Sequence, residues 1–515
     1  MEKSKAEYSL RNSAVGIAAK MVAILGGYFT RIVLVMTVAP ELVGVNGLFF
    51  TVLGGFMLPS MFLETALAYA MYDSVVHNDR EKQCALLAYY RRIYMVFSAV
   101  ILLAGIVLYF FLPLLIRDTL DPVMLGTAYG LFLLNTFLSY QWASKGMMFL
   151  VTQNNYVNEL FYTGFWILQY TLQCILLFTT KSFLIYLMAA VLCTAGRNIA
   201  VTIYANKKFP YIKKQSVIAI SEKEKKTLAR NIRAMLLHKS GNVIITNTDN
   251  LLLSSMFGVA SVGSYSNYSL ISGSVSQLFS KIISGISASV GHIGVTDDRK
   301  HLERVFSATL LAAAWIFGFG AICLFCLLDS FVILSFGERY LLPTSFVLVL
   351  CINVYIDGIR QATLVFRDAM GLFWKDRYKT IVEGIVNLRV SILLAHLMGI
   401  TGILVGTTVS YLAVSVWVEP LVLYREGFQA PVLQYFRKML AMTLCVSAAA
   451  GITWLLCRGI TGAAWWTLFA RGLVCLVVPN ILMLLLFWKS EELCLLKDTF
   501  LPIVLKRFRR QPTER

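Results

Sequence analysis

Runs of about 20 mainly apolar residues, the length that crosses the hydrocarbon core of a bilayer, recur along almost the whole chain. In hydrocarbon every backbone N–H and C=O must be satisfied internally, so such runs fold as helices. About fourteen are expected, near residues 12–38, 42–70, 93–115, 122–143, 158–179 and 182–204, then 232–257, 262–290, 305–329, 341–367, 379–397 and 400–424, with a final pair near 436–457 and 464–488. Composition agrees, since 58% of the residues are hydrophobic and 14% charged, against about 45–50% and about 25% in soluble domains. The expected class is an all-α, multi-pass integral membrane protein. The N-terminus, MEKSKAEYSLRNSAVG, lacks the apolar core and cleavage site of a signal peptide, so the first apolar run is expected to persist as a helix.

A formal charge of +18 would suggest nucleic acid in a soluble protein. Here the bias of Lys and Arg toward cytoplasmic loops accounts for most of it, and no nucleic acid partner is expected. Of the 46 Lys and Arg residues, about 33 fall in loops on the side of the N-terminus, about four (Arg117, Lys181, Arg339 and Arg458) in the opposite loops, and about nine inside spans. Both termini are therefore expected in the cytoplasm. The outer loops are short, the longest lying around DSFVILSFGERY, and leave no outer domain for chemistry. The tail, KSEELCLLKDTFLPIVLKRFRRQPTER, is basic and amphipathic and suits anionic membrane lipid.

The chain divides as an N-terminal six-helix lobe (1–205), a basic cytoplasmic connector (206–231), a C-terminal six-helix lobe (232–425), an extra helix pair (426–488) and the tail (489–515). A shift of 219 residues aligns the two lobe starts without a gap: Arg11 and Asn12 fall on Arg230 and Asn231, Lys20 on Lys239, Val43 and Gly44 on Val262 and Gly263, and Gly54 on Gly273. Each half has an even number of spans, so the halves enter the membrane in the same direction. That is a parallel repeat, an arrangement known among transporters with the site between the halves.

An ionisable side chain near the bilayer centre costs roughly 2.5–3.5 kcal/mol on insertion scales and normally faces a bundle interior or water. Lys20 and Arg31, eleven residues apart, share one face of the first span with Gly27, about 16 Å apart along the axis. The seventh span repeats the inner cation as Lys239 and has Asn250 where Arg31 would recur, beside Asp249. Further cations are Arg197, Arg233, Lys281, Arg360, Arg389 and Arg471; the acids are Glu64, Asp249 and Asp357, with Glu383 and Glu419 nearer span ends. The blander reading has Arg233, Lys281 and Arg471 snorkelling to the interface and Asp357 pairing with Arg360 one turn away.

Cations exceed acids, so a net-positive interior and an anionic cargo are expected. Lys20, Arg31, Lys239, Arg197, Lys281, Arg360 and Arg389 are the candidate substrate-binding residues, since Lys and Arg hold phosphate through charge-assisted hydrogen bonds. Asn135, Tyr140, Gln141 and Trp142 in the fourth span would suit a sugar face, although Tyr and Trp also belt membrane interfaces. GILVG, from Gly402 to Gly406, is a helix-packing spacing. No nucleotide-binding GxxxxGK[ST] occurs in the cytoplasmic segments, and no HExxH. The ten Cys residues show no metal-ligand spacing and read as packing residues, so no metal and no cofactor is expected.

Three stretches carry a resemblance: VGVNGLFFTVL at the second span, DNLLLSSMFGVASVGSYSNYSLI across spans seven and eight, and RDAMGLFWKDRYK at the end of span ten. Together they resemble the polysaccharide-transporter branch, the Wzx-like O-antigen and capsule flippases, of the multidrug/oligosaccharidyl-lipid/polysaccharide (MOP, MATE-like) flippase superfamily, over nearly the whole chain. The resemblance implies two six-helix lobes forming a V-shaped cavity, an extra helix pair, and alternating access that moves an undecaprenyl-pyrophosphate-linked oligosaccharide from the inner to the outer leaflet. It also implies a cationic cavity, which Lys20, Arg31 and Lys239 fit, and coupling to a Na+ or H+ gradient, for which Asp249, Glu64 and Asp357 are the acids on offer. A polysaccharide polymerase or glycosyltransferases would be its partners.

Two other functions are to be separated from this one. A MATE-type drug/cation antiporter favours cationic cargo and would line its cavity with acids. A membrane-embedded polysaccharide polymerase or ligase needs acid/base residues on the outer face, commonly in a large loop, which the short outer loops disfavour. A non-enzymatic transporter is the expectation.

Overall fold

The structure, a computed structural model, describes residues 5–55, 67–68, 71–72, 74–116, 120–141, 143–213, 220–222, 224–226, 228–229, 248–284, 299–370, 372, 376, 378–462 and 464–496. Among these the protein is all-α, with no strand. The principal helices are α1 (Lys5–Thr37), α2 (Pro40–Gly55), α3 (Arg80–Tyr109), α4 (Pro122–Tyr140), α5 (Tyr156–Thr180), α6 (Phe183–Lys208), α7 (Val259–Ser284), α8 (Arg299–Phe336), α9 (Thr344–Ala369), α10 (Lys379–Met398), α11 (Ile400–Phe428), α12 (Leu433–Arg458) and α13 (Trp465–Phe487). Eleven helices among the described residues are long and apolar enough to cross a membrane, as in a multi-pass membrane protein. Only part of the expected second and seventh spans is described. The expected eighth, α7, has the length but falls outside the eleven because it is rich in serine. Its hydroxyls turn back onto their own helix, as Ser269 to the Ser266 carbonyl (3.2 Å) and Ser274 to that of Leu270 (2.7 Å).

Two helices run well past the apolar windows. α3 begins at Arg80, where the Asp79 carboxylate accepts the Lys82 backbone N–H at 3.0 Å and caps the first turn. α8 is 38 residues long, about 57 Å at 1.5 Å per residue against a core of about 30 Å. Hydropathy marks only the part of a helix that lipid surrounds, and these extensions are held by polar and aromatic contacts at their ends.

The described residues form two compact units, one ending at Gly263 and the other beginning at Ser264. In the first, α1 lies along α5, α5 pairs with α6, α6 packs on α4, and α4 contacts α3 and α2. In the second, α10 pairs with α11, α11 packs on α9, and α9 on α8, with α12 and α13 both against α8. The neighbour order α3–α4–α6–α5 of the first unit thus recurs as α8–α9–α11–α10 in the second.

Each unit has a core near one end of its helices. In the first, Tyr90, Tyr140, Met147, Met148 and Phe149 are buried together, and Tyr90 donates to the Leu67 carbonyl at 2.7 Å. In the second, Phe306 meets Phe366, Phe428, Tyr424 and Tyr435 at ring-centroid distances of 5.2–6.2 Å, within the range in which aromatic pairs attract. The α10–α11 pairing depends on Gly402 and Gly406. A Cβ on Gly402 would lie 2.0 Å from the Leu394 carbonyl oxygen, and one on Gly406 2.1 Å from Ser391 Oγ. Nothing larger than glycine allows this approach, which is the packing role expected of GILVG.

Candidate functional site

The ionisable residues singled out in the sequence separate into two groups with different surroundings. In the first unit, α1 carries Lys20, which is exposed, and Arg31, which is half-buried. Arg31 donates to the carbonyl oxygens of Val43 (3.5 Å) and Gly263 (3.3 Å). These are weak contacts by distance, but their placement is specific. Val43–Gly44 and Val262–Gly263 are the dipeptides that the repeat aligns, and they touch: a Cβ on Gly263 would lie 3.1 Å from the Gly44 amide nitrogen, and one on Gly44 1.9 Å from the Val259 carbonyl oxygen. The guanidinium therefore lies across a junction where only glycine lets the two backbones meet.

Arg197 on α6 is half-buried, 4.3 Å from the centroid of the Tyr162 ring, with its Nε donating to Asn198 Oδ1 at 3.3 Å. Both of these partners are neutral, so neither offsets the positive charge. Asn198 is itself fixed by hydrogen bonds to the carbonyls of Leu138 (2.8 Å) and Gln141 (3.0 Å). Residues 248–257, the described part of the seventh span, pack in this unit, where Asn250 donates to Thr51 Oγ1 at 2.8 Å and Ser254 to the Leu115 carbonyl. Asp249 is buried there. Lys239 and Glu64 lie outside the described residues. The expected sugar face of α4 is only partly available: Tyr140 is in the core and Gln141 donates to Ser98 Oγ at 3.1 Å, and Trp142 lies outside the described residues. The depth of Tyr140 in its span gives no sign of which neighbour covers it, so its burial is visible only in the fold.

In the second unit the charges are gathered and largely cancelled. Arg360 of α9 makes a two-pronged pair with Glu419 of α11, Nε to Oε2 at 3.1 Å and Nη2 to Oε1 at 2.7 Å, and lies 3.6 Å from Asp357 and 3.9 Å from Glu383. Lys379 of α10 donates to the same Glu419 carboxylate and approaches Glu383 at 4.0 Å. Ser415 donates to Glu383 at 2.6 Å, and the Arg360 guanidinium is 4.6 Å from the Tyr411 ring centroid. Glu419, Glu383, Arg360 and Lys379 are buried, whereas 45% of the Asp357 side chain is exposed. With three carboxylates against two cations, the cluster carries one net negative charge when all are ionised. Lys281 at the end of α7 and Arg389 on α10 are exposed and outside it.

The helix that supplies Glu419 is irregular on either side of it. Pro420, having no N–H, cannot close the helical bond to the Val416 carbonyl. Wider π turns flank it at Tyr411–Ser415 and Leu423–Phe428, a deformation often found at functional sites. Lys379 stands in the sequence analysis only as the last residue of RDAMGLFWKDRYK, and Glu383 and Glu419 only as acids near span ends, all without a role. The available signal was Lys379 and Glu383, spaced i, i+4 on one helix face, and a Glu-Pro pair within an apolar run.

RDAMGLFWKDRYK also resolves into a charge pair. Arg367, in the last turn of α9, contacts Asp376 at 2.5 Å and Asp368 at 2.7 Å. At the expected cytoplasmic ends of the first unit, Lys145 donates to Asn206 Oδ1 at 2.7 Å. Burial, with Arg91 and Lys213 nearby, holds its ammonium below the usual lysine range. In the connector, Ser221 and Glu224 form a capping box, each side chain bonding the other's backbone N–H at 3.2 Å. The Ser221 hydroxyl, and then its backbone N–H and Lys82, hold the Glu224 carboxyl below the usual range despite some burial.

No family model matches the chain, and no curated protein matches it. Solved structures do. The lipid II flippase MurJ, in an inward closed conformation, superposes with a TM-score of 0.66 at 13% identity, covering 92% of this chain and 98% of MurJ. The fold is that of the MOP-superfamily flippases and transporters. A multidrug resistance MATE transporter of the MOP superfamily, in an inward-facing conformation, gives a TM-score of 0.61 at 14% identity, covering 84% of this chain and 98% of that one. A point mutant of the Vibrio cholerae MATE transporter VcmN gives 0.54 at 12%, covering 82% and 99%. The MOP fold therefore accounts for almost the full length of these proteins and for most of this chain.

Proposed function

We propose that this protein is a flippase that moves an undecaprenyl-pyrophosphate-linked oligosaccharide from the inner to the outer leaflet of the bacterial cytoplasmic membrane by alternating access, for export of a surface polysaccharide. The observation that carries the reading is the contrast between the units of a MOP fold. Arg360 is neutralised by carboxylates in the second unit, whereas among the described residues Arg197 in the first meets a tyrosine ring and an asparagine oxygen, both neutral, and Lys20 is exposed on α1. A diphosphate is the cargo such cations recognise, because each phosphate oxygen accepts charge-assisted hydrogen bonds. Lys20, Arg31 and Arg197 hold the diphosphate in this reading, with Lys239 as a further cation. Asp249, Asp357 and Glu64 are the groups for coupling to Na+ or H+. Both termini face the cytoplasm, the basic tail lies on anionic lipid, and a polymerase or glycosyltransferases work beside the protein. Its likeness to a lipid II flippase supports a lipid-linked cargo.

The test is transfer of a fluorescent lipid-diphosphate sugar across the bilayer of reconstituted vesicles, read as the fraction accessible to an outside quencher. Lys20→Ala and Arg197→Ala should each slow transfer at least ~10-fold, the equivalent of about 1.4 kcal/mol, in protein that inserts normally. Normal transfer by both variants would end the diphosphate reading. Drug/cation antiport is the second reading, favoured by the likeness to a multidrug transporter and by the net negative charge of the second-unit cluster. Drug efflux by the same vesicles, with no sugar-lipid transfer, would select it. A change in glycan length made by the purified protein would point to a polymerase or ligase instead.

A further inference from the structure

Cys326, Cys457 and Cys475 are far apart in sequence, and no local spacing connects them. They come together from three helices of the second unit, α8, α12 and α13, with their sulfurs all within 4.8 Å of one another and those of Cys457 and Cys475 3.8 Å apart. Cys457 and Cys475 are 3% and 0% exposed and Cys326 9%. Thiols packed as small apolar residues have no reason to converge from three helices at one point. Ligands on one ion do. Metal–sulfur bonds of about 2.3 Å place sulfurs about 3.8 Å apart in a tetrahedral site and about 4.0 Å in a trigonal one; the Cys457–Cys475 separation of 3.8 Å matches the first, and the other two lie within 4.8 Å.

A second observation concerns charge. Arg471 lies one turn before Cys475 on α13, on the same face, and its carbonyl oxygen is 3.9 Å from Cys457 Sγ. It is half-buried within a span, and its donors go to neutral oxygens: the Ile460 carbonyl at 3.0 and 2.7 Å and Ser330 Oγ at 2.8 Å. Among the described residues no carboxylate pairs with it. A fixed cation in this position favours an anionic neighbour. Three thiolates around a divalent ion supply one, since together they carry a single negative charge that the guanidinium balances.

We propose that Cys326, Cys457 and Cys475 bind one soft divalent cation of the d10 class, of which Zn2+ is the common biological member, with Arg471 as counter-charge. The ion ties the α12–α13 pair to α8 and so fixes the C-terminal helices to the six-helix lobe. Borderline-soft zinc and the softer cadmium take thiolate ligands readily. Three ligands are in place, and Cys323, one turn before Cys326 on α8, is the residue from which a fourth would come.

The experiment uses the full chain purified in detergent, with Cys84, Cys174, Cys193, Cys351, Cys445 and Cys494 replaced by Ser so that the cluster and Cys323 are the remaining thiols. Zn2+ retained after exposure to a weak chelator is counted by mass spectrometry, and added Cd2+ is followed by its ultraviolet thiolate-to-metal absorption. The expected result is about one ion per chain, with uptake reduced at least ~10-fold by Cys457→Ser or Cys475→Ser, as for loss of a ligand or its support. Arg471→Gln, which leaves every sulfur in place, should also weaken uptake while the protein elutes as a single folded peak. Lack of uptake by folded protein that has all three thiols would overturn the site. So would uptake unchanged in the Cys457→Ser/Cys475→Ser double variant, or isolation of these two residues as a disulfide that no metal prevents.

Discussion

Replacing Glu419 with Gln keeps the shape of the side chain and removes the charge that holds Arg360. The pair is fully buried on the acid side and 7% exposed on the basic side, and its shortest N–O distance is 2.7 Å. Charge centres about 4 Å apart at an effective dielectric of about 20 attract by about 4 kcal/mol, and Lys379 adds a second attraction to the same carboxylate. Opposing this, the substitution ends the repulsion of Glu419 by Glu383 and Asp357 and takes the cluster from one net negative charge to none. The expected loss therefore lies at the lower end of the 3–5 kcal/mol seen when one partner of a buried pair is removed, at about 3 kcal/mol. Equilibrium unfolding in mixed micelles measures it. The double variant Arg360→Met/Glu419→Leu should recover most of the loss, because an apolar pair of similar volume is often as stable as the ion pair it replaces. If Glu419→Gln stayed within about 0.5 kcal/mol of the parent, or if the two single losses simply added, the coupling described here would be refuted.

Gly44→Ala should reduce the yield of folded protein sharply, since its methyl would meet the Val259 carbonyl oxygen at 1.9 Å; size-exclusion chromatography of a fluorescent fusion reports this, and a normal monodisperse peak would contradict it. Arg367→Gln should loosen the turn between α9 and α10 by removing the contacts to Asp376 and Asp368, seen as faster proteolysis there with little change elsewhere. The Ser221–Glu224 cap should be pH-dependent in a defined direction. Because the folded carboxyl titrates below its ordinary value of 4.5, its contribution is present above that value and is lost as pH falls through the lower folded one. Hydrogen-exchange protection of the Ser221 and Glu224 amides checks this, and Glu224→Gln should largely remove the dependence.

The membrane class and most helices were legible because hydrophobicity in a bilayer is a local property: a run either is long and apolar enough or it is not. The exceptions have local causes of another kind. The ends of α3 and α8 lie beyond the apolar windows: Asp79 caps the start of α3, and near the end of α8 Ser330 accepts from Arg471 and Phe331 meets Trp465. The serines of α7 lower its hydropathy, yet bond within the helix and leave it intact. The site was less legible, because pairing depends on partners far away in sequence. The local partner of Arg360, Asp357, is visible in the sequence, but Glu419, 59 residues on, is brought to it only by the fold. Cys326 meets Cys457 and Cys475 only because two later helices bring them to it. Counting cations against acids weights all of them equally, whereas the fold removes some charges from play and leaves others.

That removal bears directly on which part of the chain handles an anion. If Arg360 and Arg197 served cargo equally, neutralising substitutions at each would impair transfer alike and leave stability alone. Their surroundings make the opposite split the expected one. Arg360→Gln leaves Glu419 buried with only Lys379 for a counter-charge and should lower stability first, with any loss of transfer following the loss of fold. Arg197→Gln breaks one 3.3 Å hydrogen bond and a ring contact, a loss of about 1 kcal/mol, so the protein should keep its stability and lose transfer. Measured side by side in the same vesicles, the two variants separate a structural cation from one that meets substrate. Equal stability and equal transfer in both would mean that the charge balance within each unit has no part in choosing the cargo.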